Sequence, residues 1–371
     1  MPTFQARALA ELKANRSAIT SRQVLAGLDG FVDTIVTPVA LRSGPGEAFT
    51  PFATIADFGQ RVLGAAGKST NLELYPRMDK LGGNGPIMAG AMLATGAKVT
   101  YIGALGRPVV HPVFQRFAET ATVVSLADPA HTTAVEFNDG KLMLGQMKSL
   151  DEVTYARIAE VMGAERFARA VGEADVTALT NWTMINGMTG IFRELVERVL
   201  PAQPDRERLF FFDLADPEKR SQDDLREALR LIARFEPFGR VTLGLNLKEA
   251  HQVAAALGLN LSQGEAEGVL RHLASEIRTR LGIATVVVHP RASAACATAR
   301  GTAWVQGPFC ETPLITTGAG DHFNAGYVTG QLLGLTPEAC LALGVSTSGF
   351  YVRTAQSPSL DDLETFLAKS E

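Results

Sequence analysis

An α/β fold, a doubly wound and mainly parallel sheet with helices on both faces, is what this chain of 371 residues predicts. Three observations point there. Short apolar runs alternate with longer segments of helical period, the rhythm of a parallel sheet with crossover helices. Several runs are apolar at consecutive positions, Phe210-Phe211-Phe212 and Val286-Val287-Val288 most plainly, as strands covered on both faces require. No internal repeat and no low-complexity linker divides the chain, so it reads as one domain over 1–371.

Taken in order, the strand-like runs are 24–28, 99–105, 122–126, 176–180, 209–214, 241–246 and 284–289. Helical periodicity covers 86–95, 155–171, 189–200, 223–235, 264–281, 321–333 and a terminal 360–369. The first of these has proline at its start and Gly96 just past its end, the asymmetry expected of a helix. Two stretches break the rhythm. Residues 34–81 hold a long insertion with a turn cluster at Ser43-Gly44-Pro45-Gly46. Residues 132–145 read as a hairpin, because Asp139-Gly140 lies between two runs of β-formers. Parts of 34–51 and 132–145 are therefore expected to form a small β-lid over the ligand crevice.

Composition removes several function classes. With 46% hydrophobic against 20% charged residues the chain can offset its ordering entropy, which excludes disorder. Thirty-five Lys and Arg against 39 Asp and Glu leave a net charge of −4, without the basic stripe a nucleic-acid partner demands. Cys296, Cys310 and Cys340 are too scattered for a disulfide framework or a metal clip. No run approaches the roughly 18 apolar residues of a membrane span, and residues 1–22 lack the apolar centre of a signal peptide. The expectation is a cytoplasmic protein with no nucleic-acid or membrane partner.

The most informative segment is Thr316-Thr317-Gly318-Ala319-Gly320-Asp321. Glycines flanking an alanine open a helix, whose unpaired N–H groups and dipole make an anion cradle that a phosphate can approach closely. Asp321 repels phosphate, so it makes sense there as a base that takes a proton from a nucleophile aimed at that phosphate. It would equally serve as a carboxylate that merely complements the helix dipole.

That run, followed by Phe323-Asn324-Ala325-Gly326, resembles the C-terminal signature of the ribokinase/PfkB family of sugar and nucleoside kinases. Leu81-Gly82-Gly83-Asn84-Gly85 with Ala89, then Gly96-Ala97-Lys98-Val99, is similar to the family's N-terminal signature. Asn246-Leu247-Lys248-Glu249 matches its N-x-x-E motif, and the interval from Gly27 to Asp33 lies where the family's first strand delivers an acid to the sugar. The motifs keep family order over roughly residues 23–360.

The resemblance implies a ribokinase-like fold with its β-lid, and ATP-dependent transfer of the γ-phosphoryl group to a hydroxyl of a sugar or sugar-like molecule. A nucleoside kinase and a non-catalytic sugar- or nucleotide-binding regulator are the alternatives on the same scaffold. Carried over, Asp321 is the base, and the amides of Gly318, Ala319 and Gly320 hold the charge that develops on the transferring group. Thr317, Gly318, Gly320 and Asn246 would face the ATP co-substrate. Arg291 would reach a phosphate bidentately or stand solvated on the surface. Asn246 and Glu249 would organise Mg²⁺ through its waters, although the same pair also reads as an N-cap with its capping glutamate. Gly83 and Asn84 would approach the substrate, with Asp33 or Asp29 accepting from its hydroxyls. A homodimer through the lids follows by the same analogy.

Departures matter too. Ile315 stands where relatives carry an aspartate that helps hold a monovalent cation, so the resemblance does not carry potassium activation over. Ile87 replaces an asparagine often used on the sugar. Gly64-Ala65-Ala66-Gly67-Lys68-Ser69-Thr70 imitates a phosphate loop, but Val62 occupies the position of its first glycine and 54–65 reads as a helix. Asp213 and Asp216 end an apolar strand and read as a sheet-end pair.

Overall fold

The computed structural model describes residues 3–369, so residues 1–2 and 370–371 of the expected 1–371 span lie outside it. Two sheets organise the chain. In sequence order the strands are β1 (Gln23–Leu28), β2 (Phe31–Arg42), β3 (Phe49–Pro51), β4 (Glu73–Gly82), β5 (Lys98–Gly103), β6 (Thr122–Ser125) and β7 (Ala130–Phe137). They continue with β8 (Gly140–Gln146), β9 (Val176–Leu179), β10 (Leu209–Asp213), β11 (Arg240–Leu245), β12 (Thr285–Val288), β13 (Ser293–Thr298) and β14 (Gly301–Gln306).

The nine-stranded sheet runs β14-β13-β12-β11-β10-β9-β1-β5-β6. Every run read as a strand from the sequence falls in its parallel portion, from β6 through β12. Its far edge, the antiparallel pair β13 and β14, went unread. The chain builds outward from β1 to β5 and β6, then returns to the other side of β1 to add β9 and its successors. The order therefore reverses between β1 and β9, the kind of switch point beside which such sheets hold ligands at their strands' carboxyl ends.

Helices cover both faces, as expected. One apolar layer gathers Ile158, Phe167, Phe192, Leu229, Val253 and Leu273 against one side of the sheet. The other gathers Leu12, Met88, Tyr327, Leu341 and Leu363. Three expected helices shift or split. The helix at 86–95 begins earlier, at Asn84, behind Gly83 with φ of 100°. Residues 155–171 form two helices, Tyr155–Met162 and Ala164–Glu173, because Gly163 takes φ of 88° between them. Residues 189–200 pass from Met188–Glu194 into a wide π-turn and then a tight turn at Pro201.

Besides the short Gln115–Thr120 helix, two long helices had no reading at all, Phe4–Asn15 and Pro337–Thr354. The second is buried continuously from Ala339 to Thr347, so it shows no polar face and no helical stripe.

The lid is larger than expected. It is a five-stranded sheet of order β3-β2-β7-β8, with β4 on β2. The hairpin expected at 132–145 is β7 and β8, turning at Asn138-Asp139. The correction is β4, an antiparallel partner of β2 from Phe31 with Gly82 to Val39 with Glu73. Half of its positions are exposed, which removed the apolar pattern of a strand. The phosphate-loop imitation at Gly64–Thr70 lies in exposed turns after the Ile55–Leu63 helix, with neither a preceding strand nor a following helix.

Glycines set the depth at which the Ala319–Leu332 helix sits. A Cβ on Gly326 would stand 2.3 Å from Thr347 Oγ1 and 2.6 Å from the Leu343 carbonyl, and one on Gly330 2.9 Å from the Cys340 backbone. Gly326→Ala is expected to cost about 1–3 kcal/mol in urea denaturation, because neither backbone can yield freely. Gly59→Ala, in open space on the Ile55–Leu63 helix, should instead be neutral or stabilise by up to about 1 kcal/mol.

Candidate active site

A cleft of about 470 Å³ lies at the carboxyl ends of the strands, walled by Asn84, Asp213, Asn246, Glu249, Arg291 and Asp321. Thus most residues singled out in the sequence meet in one place.

The Ala319–Leu332 helix opens into it behind Gly318, which holds the left-handed φ of 91°. That turn is braced from behind. The His322 ring and backbone N–H both donate to the Gly318 carbonyl, at 2.7 Å and 3.0 Å. Donation from Nδ1 leaves Nε2 to accept from the Ser357 hydroxyl at 2.9 Å. Burial pulls the His322 pKa down to about 4, so the ring is neutral. It stacks on Tyr351 with centroids 3.6 Å apart, and the Tyr351 hydroxyl donates to the Thr317 carbonyl at 2.9 Å. The turn ahead of Asp321 is thereby braced before any ligand arrives, and within it the Ala319 N–H donates to the Thr316 carbonyl at 3.2 Å.

Asp321 itself is buried, and its Oδ1 accepts from Asn84 Nδ2 at 2.9 Å. Burial raises its pKa to about 8, with the Asn84 bond opposing and the charges of Asp29 and Glu249 adding to the rise. A carboxyl so placed takes protons near neutral pH, as a general base must.

The two first-strand acids part company. Asp29 is wholly buried and turned to protein donors. Its oxygens accept from the amides of Asn84 and Gly85 at 2.9 Å each, from Asn181 at 2.7 Å and from Tyr101 at 3.3 Å. The three N–H donors hold the carboxylate, while the Tyr101 hydroxyl gives its shorter bond, 2.8 Å, to the Asp29 backbone carbonyl; the carboxylate thereby caps the Asn84–Ala94 helix. Asp33 begins the lid on β2, where the Thr132 hydroxyl bonds it and Lys80 and Lys141 flank it. Burial raises its pKa, and the two lysines and Thr132 oppose the rise. A Cβ on Gly82 would collide with this carboxylate at 2.5 Å, so that glycine gives Asp33 its room.

At the start of the Leu247–Ala256 helix, Asn246 and Glu249 form a reciprocal capping box. Asn246 Oδ1 accepts from the Glu249 N–H at 3.0 Å, and Glu249 Oε2 from the Asn246 N–H at 2.9 Å. The other Glu249 oxygen accepts from the Asp216 N–H at 2.9 Å. Asp213, read as a sheet-end acid, faces the same cleft and is held by Asn324 at 2.7 Å and the Ala215 N–H at 2.9 Å. Burial drives the Asp213 pKa well up, and Glu249 and Asp321 push it further; burial also raises Glu249.

Among the described residues no set of three or more His, Cys, Asp or Glu is arranged to hold a metal directly. Yet three buried carboxylates that raise one another's proton affinity are the surroundings a hydrated divalent cation would relieve. Arg291 stands exposed on the loop after β12. His289, next to it, stacks on Phe323 at 4.4 Å, and burial pulls its pKa to about 4, which excludes a charged role.

Sequence reasoning missed Asn181, Asn324 and Lys141. Asn181 leaves one trace, a non-glycine residue at φ of 60° just past β9, visible only in the backbone. Asn324 sat in plain view as the variable position of the C-terminal signature.

A family model described as prokaryotic ketohexokinase matches residues 5–370. The ketohexokinase of Haloferax volcanii is 28% identical over 348 residues, 93% of this chain and 90% of that protein. Among solved structures, a carbohydrate kinase from Agrobacterium tumefaciens superposes with a TM-score of 0.63 at 17% identity, covering 94% of this chain and 97% of that one. Ribokinase from Thermotoga maritima gives 0.60 at 16%, covering 93% and 98%. The chain belongs to the prokaryotic ketohexokinase family. It is an ATP-dependent sugar kinase with a ribokinase-like fold.

The two acids predict opposite phenotypes. Asp29→Asn turns an amide against donors and should lower stability by about 1–3 kcal/mol, read as a falling Tm. Asp33→Asn should leave Tm nearly unchanged while weakening sugar binding, read by calorimetry.

Proposed function

We propose that the phosphoryl acceptor is a ketohexose, and that Asp321 takes the proton from one of its primary hydroxyls. The observation that carries this reading is the Asn84–Asp321 hydrogen bond, within a chain matched over almost its whole length by a ketohexokinase family model. The bond ties the residue expected on the sugar to the residue expected to act as base. Asp33 accepts from sugar hydroxyls. A substrate lacking the hydroxyl would leave that carboxylate unpaired, which makes the contact discriminating. Asp29 has no such part, because its oxygens are spent on the protein. Gly83 lets the chain pass close to the sugar, where Asn84 offers a donor and an acceptor.

Once the sugar arrives, its hydroxyl replaces the Asn84 amide as a donor to Asp321. The carboxylate withdraws that proton as the oxygen meets phosphorus. The Gly318 and Gly320 amides, with that of Ala319 once it leaves the Thr316 carbonyl, receive the charge spreading over the transferring group, a contribution of about 3–4 kcal/mol for one well-placed donor. Little else is asked of the protein, since phosphoryl transfer is governed by positioning and charge. Thr317, Asn246 and Arg291 line the nucleotide's path, and Arg291 has its guanidinium free for a phosphate.

Asn246 and Glu249 would hold Mg²⁺ through water, beside Asp213. The ion would supply charge neutralisation of the β- and γ-phosphates. A monovalent cation has no such support, because Ile315 offers no carboxylate. Free cysteines and ATP as co-substrate support a cytoplasmic location. Exposed Leu41 and Met78 on the lid support a homodimer through that sheet. No helix is long and apolar enough to cross a membrane among the described residues.

ATP turnover against a panel of ketohexoses, aldohexoses and nucleosides tests the acceptor. The expected product gives a phosphorus resonance split by two methylene protons; a nucleoside or aldose preference would overturn the reading. Asp321→Asn should lower kcat by about 100- to 10,000-fold while ATP still binds. The base works as a carboxylate and its pKa is raised, so activity is lost as pH falls through the raised value. kcat/KM should climb about tenfold per pH unit toward pH 8. An acid limb lying wholly below about pH 5 would place the proton acceptor elsewhere.

A further inference from the structure

One lid side chain reaches the mouth of the Ala319–Leu332 helix. Lys141, the second residue of β8, donates its ammonium to Thr317 Oγ1, one residue ahead of the glycine turn. The ladder explains the direction. Glu136 lies opposite Lys141 and Thr132 opposite Gly145 across β7 and β8, while Asp33 and Thr132 are partners across β2 and β7. Paired residues share a face and side chains alternate with a period of two, so Lys141 projects from the same face as Asp33 and Thr132. Its charge also acts on Asp33, opposing the rise that burial causes there.

Charge balance gives the contact a purpose. Asp29, Asp33, Asp213, Glu249 and Asp321 are all buried around the crevice. A triphosphate adds further negative charge. Lys80 is taken up beside Asp33, its partner across β2 and β4, and Arg291 lines the cleft from the loop after β12. At the helix mouth itself, where the phosphoryl group must pass, the cation in contact is Lys141.

We propose that Lys141 is a catalytic residue of the closed lid, exchanging its contact with Thr317 for an oxygen of the phosphoryl group in transit. The step balances without an added reactant. The bond between phosphorus and the ADP oxygen breaks, the bond to the sugar oxygen forms, and the sugar proton passes to Asp321. Lys141 keeps its proton and contributes charge alone. The inference rests on the kinase reading above and adds to it a residue outside the motifs that carry the family likeness.

The test compares Lys141→Met and Lys141→Arg with wild type on any sugar that wild type phosphorylates. Lys141→Met should lower kcat by about 100-fold while the KM for ATP moves less than about threefold. Trapping of ADP with aluminium fluoride and sugar should weaken by a similar factor, with ADP alone binding as in wild type. Lys141→Arg should recover at least about tenfold of the lost kcat. A lysine that merely latches the lid would raise the sugar KM and leave kcat within about threefold at saturation; that result, or equal losses of ADP and trap binding, would overturn the proposal. Wild-type activity on some other sugar would displace the ketohexose assignment and leave this ratio measurable.

Discussion

The hydrogen bond between Asn84 and Asp321 is the contact on which the site depends. It joins the starts of two helices, one from each half of the chain, across the crevice. Neither helix can drift. The Ala319–Leu332 helix is buried from Asp321 to Gly330, and its depth is set by glycines pressed against the Pro337–Thr354 helix. The Asn84–Ala94 helix is fixed by Asp29, whose donors come from that helix, from β5 through Tyr101 and from the end of β9 through Asn181. A carboxylate buried without such support would forfeit several kcal/mol, and the surrounding donors offset part of that cost.

From this follows an electrostatic economy particular to the chain. Acids outnumber fixed cations around the crevice, so the empty site favours protonated carboxyls, and Asp321 is held near neutral pH. Whatever positive charge enters with the nucleotide lowers proton affinity at Asp321, Asp213 and Glu249 together. On the proposed reading, the Asp321 carboxyl is therefore readied to act as base by the arrival of the co-substrate. A solvent-exposed aspartate would be ionised throughout and would be a weaker acceptor for a sugar proton.

Much of this was legible in the residues. Every parallel strand of the nine-stranded sheet announced itself by an apolar run, because burial between helix layers leaves little polar alternation. The glycine turn ahead of Asp321 was legible as a helix start, and it does open the Ala319–Leu332 helix. What escaped did so for physical reasons. The Pro337–Thr354 helix is surrounded by protein and has no stripe to read. β4 is exposed at half its length and looks like a loop. Asp29 and Asp33 look alike in the sequence, and what separates them in the structure is partners such as Asn181 and Tyr101, which bond Asp29 from far away in the chain. Lys141 belongs to a register that only the paired strands define.

Continuity of the backbone binds the lid to the chemistry beneath it. Only Asp29 and Gly30 separate β1 from β2, and β4 ends at Gly82, two residues before Asn84. A Cβ on Gly30 would lie 2.0 Å from the Ala104 carbonyl, so the passage between β1 and β2 has no slack. The cover is thus not a module that can be exchanged between relatives. A chimera that imports foreign lid strands displaces the cap and the asparagine along with them, so acceptor preference and turnover will drift as one trait under selection.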